Sequence, residues 1–154
     1  MGRRVGQASH GSGVEVIVNV GDFEPVEPDL MERAVRCALA SALRDTAEVS
    51  LTLLPDAEMR RLNREYLYKD VSTDVIAFSL GDDTRVIGDI YIGFDQAVRQ
   101  AAEYGVVLHE ELARLAIHGM LHVLGHDHSD GSDRLGSPMY LLQERLLREL
   151  LDER

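Results

Sequence analysis

Cysteine and lysine are almost missing from this chain, and long apolar runs are missing altogether. Cys37 is the only cysteine, so no intrachain disulfide can form, which fits a reducing compartment. It lies in an apolar-periodic stretch and reads as a small core residue rather than a reactive thiol. Lys69 is the only lysine, so nearly all positive charge is arginine, a compositional bias before it is anything else. No apolar run approaches the ~18 residues needed to span a bilayer, so no membrane-spanning helix is expected. The N-terminus, MGRRVGQASHGSG, has two arginines but no apolar segment after them and does not read as a secretory signal. Residues 1–13 are expected to be a flexible leader, with His10 idle in it, and the protein is expected to be cytoplasmic.

What is present is enough for one domain over residues 14–154. Of 154 residues, 45% are hydrophobic, which argues against a disordered chain. The formal charge of -11 predicts solubility and counts against wholesale electrostatic grip on nucleic acid. The acidity is uneven: Arg60, Arg61, Arg64 and Lys69 form a local basic cluster, while Asp127 to Asp133 is acidic.

Periodicity gives the elements. Val14 to Val20 alternates apolar and polar residues, the sign of a strand with one buried face. Pro28 and Asp29 open a helix whose apolar stripe runs through Leu30, Ala34, Val35, Ala38, Leu39 and Leu43. Glu48 to Leu54 is a second strand. Asp56 is the expected N-cap of a short helix to about Glu65, with Met59 and Leu62 toward the core. Tyr66 to Thr73 has no clean period and reads as a loop. Asp74 to Leu80 and Val86 to Gly93, joined by Gly81-Asp82-Asp83-Thr84, read as a hairpin. Asp95 is the expected cap of a helix ending at Gly105, a second helix spans about Leu108 to Leu124, and Ser137-Pro138 starts a last one to about Leu151. The order β-α-β-α-β-β-α-α-α predicts an α+β single domain: a small mixed four-stranded sheet with helices packed mainly on one face. The helix of Leu112, Leu115, Ala116, Ile117, Leu121 and Leu124 is apolar enough to be central.

That helix runs into HGMLHVLGHDH, His118 to His128. His118 and His122 are four apart and share a helix face, so two imidazoles lie side by side. Gly125 can take the left-handed conformation that ends the helix and bring His126 or His128 to the same point. Two helical imidazoles and a third from the turn make a tetrahedral metal site with one open position. Neutral imidazoles favour zinc, with nickel, copper and iron as competitors. Three neutral ligands leave the ion its charge, so it acts as a Lewis acid and lowers the pKa of bound water to about 7. A fourth ligand from His126 would instead make a closed, structural site.

The spacing also matches the protease pattern HExxHxxGxxH, but the glutamate that serves as its general base is replaced by Gly119. The proton acceptor of peptide hydrolysis is therefore missing. Glycine there is also expected to open space beside the metal, enough for a phosphodiester.

HGMLHVLGHDH closely resembles the HGxLHLxGYDH signature of the YbeY family of bacterial endoribonucleases. Leu62 to Ser79, LNREYLYKDVSTDVIAFS, is similar to that family's LNxxYRxKDxxTDVLSF segment, and Gly88-Asp89-Ile90 to the GDI that follows it. Element order and length agree from Val14 onward. The resemblance implies a metal-dependent, single-strand-specific endoribonuclease acting in ribosomal RNA maturation, notably at the 3′ end of the small-subunit RNA, and in ribosome quality control. Its partners would be single-stranded RNA, ribosomal RNA and components of the small ribosomal subunit. It implies one zinc per chain held by His118, His122 and His128, with His126 standing where the family usually has tyrosine. One departure concerns activity: the arginine after the tyrosine in YRxKD, implicated in the family's catalysis, is Leu67 here. Leucine cannot bind a phosphate or stabilise a developing phosphorane charge.

Arg64 and Lys69 are the neighbouring cations that would take over that role, and Arg61, Arg64 and Lys69 together are candidate contacts to the RNA backbone. Thr73 and Asp74 are candidates to line the cleft, Thr73 equally a turn residue before a strand. Asp127 would orient a ligand imidazole or cap the turn. Two further classes fit the same residues: a metalloprotease taking its base from Glu110 or Glu111, and a non-catalytic ribosome-associated factor with a structural zinc.

Overall fold

The structure, a computed structural model, describes residues 13–67, 73–126 and 136–153. Its elements are β1 (Val14–Asn19), α1 (Pro28–Ser41), β2 (Ala47–Leu54), α2 (Asp56–Leu67), β3 (Val75–Ser79), β4 (Val86–Gly93), α3 (Phe94–Tyr104), α4 (Leu108–Val123) and α5 (Pro138–Asp152). The strands form one mixed sheet in the order β1-β2-β4-β3. β1 and β4 both run parallel to β2, and β3 closes the edge as the antiparallel hairpin partner of β4. The α+β reading and the hairpin are borne out.

Alternation decides which face of the sheet is buried. Val16 and Val18 of β1, Val49 and Leu51 of β2, and Ile90 and Ile92 of β4 are buried, while the residue between the two members of each pair is not. α1 packs on β1, and α4 on β3 and β4; α5 lies against both helices. α4 touches α1, α3, α5, β3 and β4, and is therefore the central helix. α2 belongs to the opposite face. Its Tyr66 meets Phe78 edge-on, and Phe78 is in register with Asp89, the residue before core-facing Ile90. Among the described residues no helix is long and apolar enough to cross a membrane.

α4 lies close to the sheet because side chains are missing at the contact. A Cβ on Gly119 would stand 2.8 Å from Ile90 Cγ2 and 3.2 Å from Val75 Cγ2. From the other side, a Cβ on Gly88 would stand 2.8 Å from Val123 Cγ1. Gly119 thus opens no space beside the histidines: it faces the sheet, and the expected room for a phosphodiester at that position is corrected to a packing contact.

Four local readings are also corrected. α2 continues to Leu67 instead of yielding to a loop at Tyr66. Leu43 does not extend the stripe of α1: it follows the helix at φ 58 and is 90% exposed. It takes the left-handed position that glycine usually fills, as its N–H reaches Ala40 and that of Arg44 reaches Leu39. Asp95 caps α2 rather than its own helix, its carboxylate accepting from the Asp56 N–H at 2.9 Å. Asp56 is then the first residue of α2, with the Pro55 carbonyl accepting from Glu58 and Met59. The ends of α3 and α5 are as read: Gly105 is left-handed at φ 70, and Ser137 accepts from the Tyr140 N–H at 3.1 Å ahead of Pro138.

Gly119→Ala tests the packing contact. Overpacking against β-branched Ile90 and Val75 costs about 1–3 kcal/mol, against a gain of about 1 kcal/mol in helix propensity. We expect a net loss of about 1 kcal/mol in urea unfolding, whereas a stabilised variant would show that the contact yields freely.

Candidate active site

The C-terminal half of α4 carries His118 and His122 of the motif. The helix ends in a left-handed Gly125 at φ 103. The Gly125 N–H bonds the His122 carbonyl and the His126 N–H bonds the Leu121 carbonyl, each at 3.0 Å. This paired closure satisfies the last carbonyls and turns the chain, as Gly125 predicts. His126 is exposed beyond it. His128, Asp127 and Lys69 lie outside the described residues.

His118 and His122 are half-buried and converge, their rings edge to face with centroids 4.6 Å apart. Their Nε2 atoms are 3.1 Å apart. The tautomer of His118 follows from its other side. Gln143, 5% exposed on α5, donates its amide N–H to Glu144 Oε2 at 3.0 Å. A carboxylate only accepts, so the Gln143 amide oxygen must be the atom facing His118 Nδ1, at 2.6 Å. Nδ1 therefore carries the proton, and the Nε2 lone pair of His118 points at His122.

This fits a resident zinc. Two imidazole nitrogens at 2.0–2.1 Å from a tetrahedral ion stand about 3.3 Å apart, close to the 3.1 Å between the two Nε2 atoms. Among the described residues no group of three histidine, cysteine or carboxylate donors comes together; the third expected ligand, His128, is among those outside.

His118 opens into a cleft of about 570 Å³ between α3, α4 and α5, lined also by Asp74, Tyr104, Arg114, Tyr140 and Gln143. Asp74 thus reaches the cleft, as read. Behind the wall lies a charge network that local spacing does not reveal. Arg114 bonds Glu111 at 2.7 Å, Glu144 at 2.9 Å and Glu110 at 3.1 Å. Glu111 is 1% exposed and also accepts from Gln100 at 2.8 Å. Burial opposes the Arg114 charge, but bonds to Glu144 and Glu111 outweigh it and push its pKa up. Burial likewise raises the Glu144 carboxyl, but Arg114 and Gln143 hold it below the usual range. With one cation shared by three carboxylates, Arg114 has little charge left for a phosphate. Glu110 and Glu111 are likewise committed, which removes both bases suggested for a protease.

The basic cluster is on α2. Arg61 is paired within its helix to Glu58 at 2.7 Å and Glu65 at 3.5 Å, as a solvated helix charge. Arg64 is exposed on the same helix, and Leu67, at the position of the family arginine, is 45% exposed at its end. Thr73 is half-buried just before β3. Gln143 is the residue that motif reading missed. Its signal was its place in the stripe Met139, Gln143, Leu146, Leu147, Leu150 of α5, where a polar side chain needs a partner.

Fold and site together define a small α+β protein built around a histidine pair on a buried central helix. A family profile described as Endoribonuclease YbeY matches residues 22–151. An Endoribonuclease YbeY of Myxococcus xanthus is 46% identical over 108 residues, 66% of this chain and 36% of that protein. Those of Finegoldia magna and Aquifex aeolicus are 41% and 37% identical, over 68% and 81% of this chain and 72% and 79% of their own lengths. The chain thus matches about a third of the Myxococcus relative and most of the other two. A Thermotoga maritima protein solved in solution superposes with a TM-score of 0.62 at 25% identity, over 90% of each chain. The chain belongs to the YbeY endoribonuclease family.

The Glu144 carboxyl makes stability depend on pH. Its pKa is depressed in the folded state, so its contribution is present above the unfolded value of about 4.3 and lost as pH falls through the folded value. Glu144→Gln should lower stability near neutrality by about 1–2 kcal/mol, a few degrees in Tm. The gap to wild type should close in melts run toward pH ~3; a gap constant with pH would mean that Glu144 is not charged in the folded protein.

Proposed function

We propose that this chain, an endoribonuclease by family, cuts single-stranded RNA with the help of one zinc ion held by His118, His122 and His128, and that its cellular role is cytoplasmic maturation of ribosomal RNA at the 3′ end of the small-subunit RNA and ribosome quality control. The observation that carries the reading is the convergence of the His118 and His122 Nε2 atoms at 3.1 Å, with Gln143 holding the opposite edge of His118 at 2.6 Å. When bound, the ion would supply Lewis-acid charge and acidify water at the scissile phosphate.

The protein's own residues do the rest. His118 presents its Nε2 lone pair, and His122 would present its own once an ion is bound, both from one rigid, buried helix, which fixes them more tightly than a loop would. Gln143 sets the proton of His118 on Nδ1. Arg64 and Lys69 supply the positive charge for the RNA backbone, since Arg114 is engaged by carboxylates. Leu67 adds no charge where the family has arginine, so electrostatic assistance to the phosphorane rests on those neighbours. The ribosomal partners follow from the family and from the RNA substrate. The protease alternative loses support because Gly119 faces the sheet and Glu110 and Glu111 are tied to Arg114.

The test is cleavage of single-stranded and duplex RNA by purified protein, with and without chelator, beside a peptide library. Chelator should abolish cleavage of the single strand, and zinc restore it. His118→Ala, His122→Ala and His128→Ala should each lose at least about 100-fold, since losing even a supporting contact to a ligand costs 10–100-fold. Equal RNA cleavage by His118→Ala would expose a contaminating ribonuclease and remove the reading. Peptide cleavage would transfer it to a protease, and no cleavage of either would leave a binding factor.

A further inference from the structure

Gln143 stands out as the polar member of the otherwise apolar buried stripe of α5. It occupies a core position of α5, it is 5% exposed, and it spends both ends of its amide on named partners. One end donates to Glu144 at 3.0 Å, and the other accepts from His118 Nδ1 at 2.6 Å. Glu144 is in turn anchored by Arg114 at 2.9 Å. Arg114 and Glu144 therefore orient the amide, and the amide orients the imidazole.

We propose that Gln143 is a positioning residue that locks His118 into its Nδ1–H form and so keeps the Nε2 lone pair directed at His122 and available for zinc. The orientation is not a free choice of the amide. Reversed, it would set its carbonyl against the Glu144 carboxylate and its N–H₂ against His118, losing one bond and adding repulsion. A free imidazole prefers its proton on Nε2, the nitrogen that must be bare here. Without Gln143 the default tautomer would aim a proton at the metal position. The zinc half of the proposal rests on the site reading above; the tautomer half stands on the metal-free protein alone.

The test combines histidine ¹⁵N spectra of the metal-free protein at mildly alkaline pH with zinc affinity from competition against a chromophoric chelator. Wild type should show His118 protonated on Nδ1. Gln143→Met, close in shape but without an acceptor, should move His118 toward the Nε2–H form and weaken zinc binding by about 10–100-fold. Gln143→Glu combined with Glu144→Gln keeps an acceptor toward His118 and a donor between the two neighbouring side chains, and should restore both the Nδ1–H signature and zinc affinity to within about ten-fold of wild type. A merely structural role would alter the melting temperature of Gln143→Met and leave the His118 tautomer as it is. An unchanged tautomer in Gln143→Met, or a Gln143→Glu/Glu144→Gln double variant that behaves like Gln143→Met, would overturn the proposal. If wild type binds no zinc, the metal reading fails while the metal-free spectra still decide what Gln143 does.

Discussion

The contact between α4 and the sheet sets the geometry of everything else. Successive residues of a helix are 100° apart, so the face of His118 and His122 is fixed once the face of Gly119 is fixed. Gly119 seats on Ile90 and Val75, and Val123 seats over Gly88. These two near-backbone approaches clamp both ends of the motif's helical part against β4. His118 then points toward α5 and the cleft, with His122 beside it. A larger residue at either glycine would lift the helix and carry the imidazoles with it.

The electrostatics are layered behind that contact. The glutamates, Arg114 and Gln143 form one connected network between α4 and α5, closed on its far side by Gln100 of α3. A buried network of this kind is stabilising only when every member is satisfied, and here each carboxylate has a donor. Its output is a neutral amide oxygen against His118, which orients the ring without adding a further charge beside it. Among the described residues, Arg64 is on α2, an element separate from the Arg114 network of α4 and α5.

Much of this was legible in the sequence, because alternation and helical stripes are local. β1, β2, the β3–β4 hairpin and α4 follow from their apolar spacing, and Gly125 ends α4 where glycine should. What was not legible depended on tertiary partners. Tyr66 and Leu67 show no helical period, yet α2 continues through them, with Tyr66 leaning on Phe78 across the sheet. Asp95 precedes a helix like a cap, yet its carboxylate is drawn to the N-terminus of α2. Gly119 reads as a lost catalytic glutamate when the motif is taken alone; against β4 it is a spacer of zero width. Gln143 follows the last histidine of the motif at a distance that no local spacing flags, and only its place in an apolar stripe marks it.

The central claim is that His118 and His122 of α4, together with His128, hold a zinc ion to which RNA chemistry is coupled. X-ray absorption at the zinc edge of the loaded full-length protein addresses it most directly. The account predicts one zinc per chain with three imidazole nitrogens at about 2.0–2.1 Å and one further light atom in a four-coordinate shell, and loss of one imidazole in His128→Ala. A sulfur neighbour, a six-oxygen shell, or a spectrum unchanged by His128→Ala would contradict it.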